Sequence, residues 1–153
     1  MSQTVPKRKK ERGSSMVEFA LGGTVMVLLF TGTFQFGYAF YKYNTLAASV
    51  RSAAQYASMK AYDSNSATPS NTFKTAVQNM VVYGTPAPGE NASTILPSLR
   101  TSDVTVAATF VNSVPTAVTV GVSSYSLNAL FRSYNLSNKP SVTFPYIGRF
   151  APP

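Results

Sequence analysis

The chain has 153 residues and a formal net charge of +8, set by 13 Lys and Arg against 5 Asp and Glu. It contains neither Cys nor His, which excludes disulfides, thiol nucleophiles and the commonest metal ligand and general base. Half of the net charge lies before Ser14 and the rest is scattered, a weak phosphate footprint beside a clustered basic stripe, so nucleic acid is not an expected partner.

The first element is a basic run, Lys7-Arg8-Lys9-Lys10-Glu11-Arg12, closed by Gly13. Between Arg12 and Lys42 the only charged residue is Glu18, and from Phe19 to Tyr41 there is none. As a helix that apolar stretch would extend about 35 Å, against a hydrocarbon core of about 30 Å. It is also longer than the apolar region of about 7–15 residues in a cleaved secretory signal. Phe34, Phe36, Tyr38, Phe40, Tyr41 and Tyr43 are expected at its outer end, because aromatic rings favour the boundary of hydrocarbon and water. The basic run should keep the N-terminus in the cytoplasm, leaving residues after Lys42 on the far side of the membrane.

The helix should continue beyond the span. Leu46, Val50, Ala53, Ala54, Ala57 and Ala61 keep a three-or-four-residue rhythm, with Arg51 and Lys60 off that face. One helix is expected from about Ser15 to Tyr62. Ala20 with Gly23, and Thr33 with Gly37, are small-residue pairs that would let neighbouring helices approach closely, although Gly and Thr are also common in membrane helices generally.

Glu18 has two explanations. Ser15-Met16-Val17-Glu18 fits a capping box, in which Ser and Glu satisfy free backbone N–H groups at a helix start. Alternatively, a cut after Gly13 would make Ser14 a positively charged terminus, and Glu18 could pair with the amine of an adjacent subunit.

Basic leader, Gly13, four residues, Glu18, Phe19 and a long apolar helix resemble the class III signal of type IV prepilins. The stretch Ser15-Met16-Val17-Glu18-Phe19-Ala20-Leu21 through Phe36-Gly37-Tyr38-Ala39-Phe40-Tyr41 is similar to the TadE-like minor pseudopilins of the Tad (tight adherence) system. So is Leu46-Ala47-Ala48-Ser49-Val50-Arg51-Ser52-Ala53-Ala54-Gln55-Tyr56-Ala57. Where relatives often carry a Pro after the glutamate, this chain has Gly22-Gly23; Phe19 replaces the Tyr usual in small major pilins. The resemblance implies processing at Gly13, Ser14 and Glu18, and assembly through Glu18, Phe19, Gly23 and Gly37. It implies as partners a prepilin peptidase, other pilins and pseudopilins, an inner-membrane assembly platform and membrane lipid. The roles it implies are pilus assembly, surface adhesion and biofilm formation. The expected organisation is a cytoplasmic leader over 1–13, a helix over 14–62 that crosses the inner membrane at about 19–41, and an exported domain over 63–153. An uncleaved single-span protein with a periplasmic binding domain and a principal filament subunit are the alternatives.

The exported part is long enough for one small domain. Tyr62 to Asn71 reads as loop, and Thr72 as the cap of a short helix with Phe73, Val77, Met80 and Val81 on one face. Thr85-Pro86-Ala87-Pro88-Gly89 breaks the chain. Residues 103–110 and 117–122 are β-branched and alternating, and are expected to pair as a hairpin through Asn112–Thr116. Tyr125 to Tyr134, with Leu127, Leu130 and Phe131, reads as a short helix or turn. Ser141 to Ile147 is expected to return as an edge strand, given Pro145. The fold class is therefore α+β: a long N-terminal helix with a small antiparallel sheet packed on its outer half, an arrangement that the resemblance also implies. Beyond the span only Asp63, Glu90 and Asp103 are acidic, and they are widely separated. No enzymatic activity, cofactor or metal is expected.

Overall fold

The structure is a computed structural model that describes residues 11–129 and 132–151. The basic run before Glu11, together with Leu130, Phe131 and the terminal Pro152-Pro153, lies outside the described residues. The architecture is α+β, as its sequence implies. By contacts the chain divides into two compact units, one ending at Gly37 and the other spanning Tyr38–Pro153.

Helix α1 runs over Glu11–Met59, starting earlier and ending earlier than its sequence pattern implied. Within the second unit its inward positions follow the expected rhythm: Leu46, Val50, Ala53, Ala54 and Ala57 are fully buried, and Arg51 is exposed. Ala61 is exposed because the helix has already ended.

Helix α2 spans Asn71–Tyr83 and buries Phe73, Val77, Val81 and Val82. Its cap is Ser70 and not Thr72: the Ser70 hydroxyl accepts from the Phe73 N–H at 3.1 Å and donates to Asp63 Oδ1 at 2.6 Å. Gly84 ends it at φ 75°, a left-handed conformation that glycine adopts without steric penalty, and its N–H reaches the Met80 carbonyl.

A single 3-10 turn at Thr101–Asp103 leads into strands β1 (Val104–Val111) and β2 (Val114–Val122), which form the expected antiparallel hairpin. Its turn is tighter than the sequence implied. Only Asn112 and Ser113 lie between the strands, at φ 50° and 63°, as a two-residue turn of the type I′ class demands. Pro115 is tolerated inside β2 because the register slips beside it, with Phe110 opposite Pro115 and Thr109 opposite Ala117. Strand β5 (Ser141–Pro145) pairs antiparallel with β2 at the sheet edge, giving the order β1-β2-β5.

The expected helix or turn over 125–134 is not formed. Ser124–Asn128 and Ser133–Ser137 are strands β3 and β4, paired as a separate two-stranded sheet. Here the period is two: Tyr125 and Leu127 are buried, while Ser124, Ser126 and Asn128 face outward. Small polar residues at the outward positions hid that alternation, and the hydrophobic pair that looked helical falls outside the described residues.

One contiguous core joins α1, α2, the three-stranded sheet and β3. The chain then closes over the end of α1. Ile147 N–H donates to the Ser58 carbonyl at 3.0 Å, the Tyr62 N–H to Arg149 at 2.9 Å, and the Ala151 N–H to Tyr62 at 3.0 Å. The first of these satisfies a carbonyl that the helix terminus leaves without an intrahelical partner, and the other two join the segment to the chain just beyond the helix. Gly148 permits the approach: a Cβ there would stand 2.7 Å from the Lys60 carbonyl oxygen and 2.9 Å from that of Met59.

Candidate assembly segment

In the first unit the helix presents large apolar side chains that stand exposed among the described residues. Phe19 is 83 % exposed, and Met16, Leu21, Leu28, Phe30 and Phe36 are all more than half exposed. Soluble surfaces do not carry a contiguous apolar array of this kind without a membrane or partner to cover it. Gly13–Met59 contains the one described helix long and apolar enough to cross a membrane.

Two threonine hydroxyls within this segment are satisfied inside the helix. Thr24 Oγ1 donates to the Ala20 carbonyl at 2.8 Å and Thr33 Oγ1 to that of Leu29 at 2.9 Å, which removes two hydroxyls from competition with an apolar surround. Glu18 accepts a hydrogen bond from the Ser14 hydroxyl, one turn back, at 3.3 Å. Ser15 lies inside the helix and not at its start, so the Ser15–Glu18 capping box is not the arrangement found.

The sites expected from the sequence are therefore brought together only in part. Gly13, Ser14 and Glu18 share one exposed turn, with Phe19 beside them. Gly23 and Gly37 lie farther along, about 21 Å apart at 1.5 Å per residue. A Cβ built at Gly13, Gly22, Gly23, Gly32 or Gly37 would meet nothing within 4 Å. No packing among the described residues demands glycine at those positions, although each weakens a helix by about 1 kcal/mol relative to Ala.

At the start of the second unit, Lys42 is a functional group that sequence reasoning passed over. It is 9 % exposed, donates from Nζ to the Asn128 carbonyl at 3.0 Å, and lies 4.5 Å from the centre of the Tyr38 ring. It thus ties α1 to the end of β3. Its position as the first charge after the apolar stretch was the available signal, but its partner lies 86 residues away.

Farther along, Tyr62 anchors an aromatic group with Phe73, Phe110 and Tyr146, the ring centres 5.1, 5.5 and 6.1 Å away. Burial, reinforced by the nearby Asp63 carboxylate, pushes its phenol up to about 12. Burial also raises Tyr146, opposed by its hydrogen bond with the Tyr62 backbone. Among the described residues no group of His, Cys, Asp or Glu could hold a metal ion.

A helix that is apolar and exposed in one unit and packed on a sheet in the other suits membrane anchoring. Residues 13–55 match the family model described as TadE-like protein, beginning at Gly13 itself and ending within the buried part of α1. The match covers that segment alone, less than a third of the chain, and makes it similar to TadE-like proteins. No curated protein and no solved structure matches the chain.

Proposed function

We propose that the chain is a minor pseudopilin of a Tad-type pilus. In this reading a prepilin peptidase removes residues 1–13, Ser14 becomes the mature terminus, and the helix over 14–62 is the polymerisation element. Its stretch at about 19–41 spans the inner membrane with the N-terminus cytoplasmic, and residues 63–153 are exported. The observation that carries the reading is the apolar surface from Met16 to Phe34, exposed among the described residues and containing a single carboxylate, Glu18. In a bundle of like helices that carboxylate has a natural partner in the amine of an adjacent subunit. Removing either member would leave an uncompensated buried charge, which suits the pair to fixing register. Glycines that serve no packing purpose among the described residues fit close approach by other pilins and access by a peptidase. The roles that follow are pilus assembly and, through it, surface adhesion and biofilm formation.

The test is the intact mass and N-terminal sequence of the protein from native membranes and from sheared surface material. A terminus at Ser14, with the protein scarce but present in the sheared fraction, supports a processed minor subunit. A terminus at Met1 or Ser2 in both fractions refutes it. Glu18→Gln should preserve membrane insertion and processing while impairing incorporation into pili.

One observation favours a second reading, an uncleaved signal anchor. Helix α1 runs unbroken through the Gly13–Ser14 bond, so a peptidase would first have to open that turn. Gly13→Phe separates the two readings, since chain mass is unchanged by the substitution, apart from the side chain itself, only where no cleavage occurs.

A further inference from the structure

Strand β3 sends Tyr125 and Leu127 into the core and presents Ser124, Ser126 and Asn128 in a row on its outer face. Together with Ser98, Arg100, Asp103 and Tyr125 that row lines an open surface cleft of about 230 Å³. Every residue lining it carries a hydrogen-bonding side chain, which suits a polar ligand.

The walls are fixed before any ligand arrives. The Asp103 carbonyl accepts from the Ser123 N–H at 2.8 Å and from its hydroxyl at 3.0 Å, which ties the 3-10 turn to the start of β3. The Tyr125 hydroxyl donates to the Pro97 carbonyl at 3.0 Å, and Lys42 holds the backbone of Asn128. Asp103 Oδ2 accepts from the Arg100 N–H at 3.0 Å, which sets the carboxylate in the wall.

We propose that this cleft binds an uncharged sugar ring. One guanidinium and one carboxylate balance in charge, which disfavours a ligand with net charge of either sign. Hydroxyls and a carboxamide supply donors and acceptors together, the mixture a polyhydroxylated ring requires. At less than the roughly 300 Å³ of pockets that enclose drug-sized ligands, the cleft holds one ring and leaves a longer glycan to extend into solvent. Its lining holds a single carboxylate, one short of the pair that glycoside hydrolysis ordinarily uses, so the proposal is of binding alone.

The experiment is an amide NMR titration of the full chain in phosphocholine micelles, which carry no sugar headgroup. The probes are methyl α-mannoside, methyl β-glucoside, methyl β-galactoside and N-acetylglucosamine, with galacturonate as the anionic counterpart. At least one neutral sugar should bind saturably, with Kd on the order of 1–10 mM and shifts centred on Ser98–Asp103 and Ser124–Asn128. Arg100→Ala should weaken it by about tenfold or more, the loss expected for a charge-assisted hydrogen bond, while Lys74→Ala on α2 leaves it unchanged. Saturation by galacturonate alone overturns the proposal in favour of an oxyanion site. Equal binding by Arg100→Ala, shifts centred elsewhere, or no saturable shift up to about 100 mM overturns it outright.

Discussion

Gly148→Ala tests whether the final segment is seated on the end of α1. The added Cβ would stand 2.7 Å from the Lys60 carbonyl oxygen, 2.7 Å from the Tyr146 hydroxyl and 2.9 Å from the Met59 carbonyl oxygen. Two of those atoms are backbone, so the clash cannot be relieved by turning a side chain. If the structure absorbs the strain, overpacking of this kind destabilises by about 1–3 kcal/mol. If the segment lifts instead, the bonds from Ile147 to Ser58 and from Tyr62 to Arg149 are lost, at about 1 kcal/mol each. Both routes converge on roughly 2 kcal/mol, which lowers Tm by about 8 °C or more in a domain of this size. Thermal unfolding of the full chain in detergent, followed by near-ultraviolet tyrosine circular dichroism, reads this directly. Gly89→Ala is the control, since a Cβ there meets nothing within 4 Å. Should Gly148→Ala melt with wild type, the close approach does not constrain the fold and the capping of α1 by this segment is refuted.

Ser70→Ala removes both the cap of α2 and the bond to Asp63, and should lower stability by about 1–2 kcal/mol, whereas Thr72→Ala should be nearly neutral in the same denaturation assay. Ser113→Gly should stabilise by up to about 1 kcal/mol, because Ser113 holds a φ of 63° that glycine adopts freely; an unchanged or lower Tm would contradict the tight turn. Alkaline pH should destabilise the second unit. Tyr62 binds its proton more tightly in the folded chain than in the unfolded one, so its contribution is complete below about pH 10. It is lost as pH rises through about 12. Tyrosinate absorbance should therefore show a late-titrating fraction that vanishes in denaturant, and ordinary titration of all nine tyrosines would refute it.

The elements that sequence made legible are those whose side chains follow a strong period. Leu46, Val50, Ala53, Ala54 and Ala57 mark a helix face, and the alternation in β1 and β2 marks a hairpin, because burial selects those positions directly. Strand β3 was missed because its outer positions are Ser and Asn, residues equally at home in a turn. The cap of α2 was missed by two residues because Ser70, Asn71 and Thr72 are all capable caps. The bond to Asp63, seven residues back, is what distinguishes Ser70. Of the assembly segment, the apolar stretch and the position of Glu18 were readable, whereas the hydrogen bond from Ser14 depends on the helix starting before Ser15. Lys42 and the polar cleft depend on contacts between distant segments, which local pattern does not encode.

Side-chain size along α1 separates two kinds of apolar surface. The exposed stretch carries Phe, Leu, Met and Val, whereas the face packed in the second unit carries Ala53, Ala54 and Ala57 with Ser49 and Ser58 close by. Small residues let the helix axis lie near its neighbours in the core, so bulk there should be resisted even when it is more hydrophobic. Ala54→Leu should therefore destabilise the second unit by about 1–3 kcal/mol, although Leu is a good helix former and buries more apolar area. Leu28→Ala removes a larger apolar group from a residue that is 68 % exposed, and should leave the melting of that unit unchanged while weakening association in the membrane. Thermal denaturation together with cross-linking in membranes distinguishes the two. If Ala54→Leu stabilised the domain, the alanine face would be under-packed rather than closely fitted, and the division of α1 into a packing face and an association surface would fail.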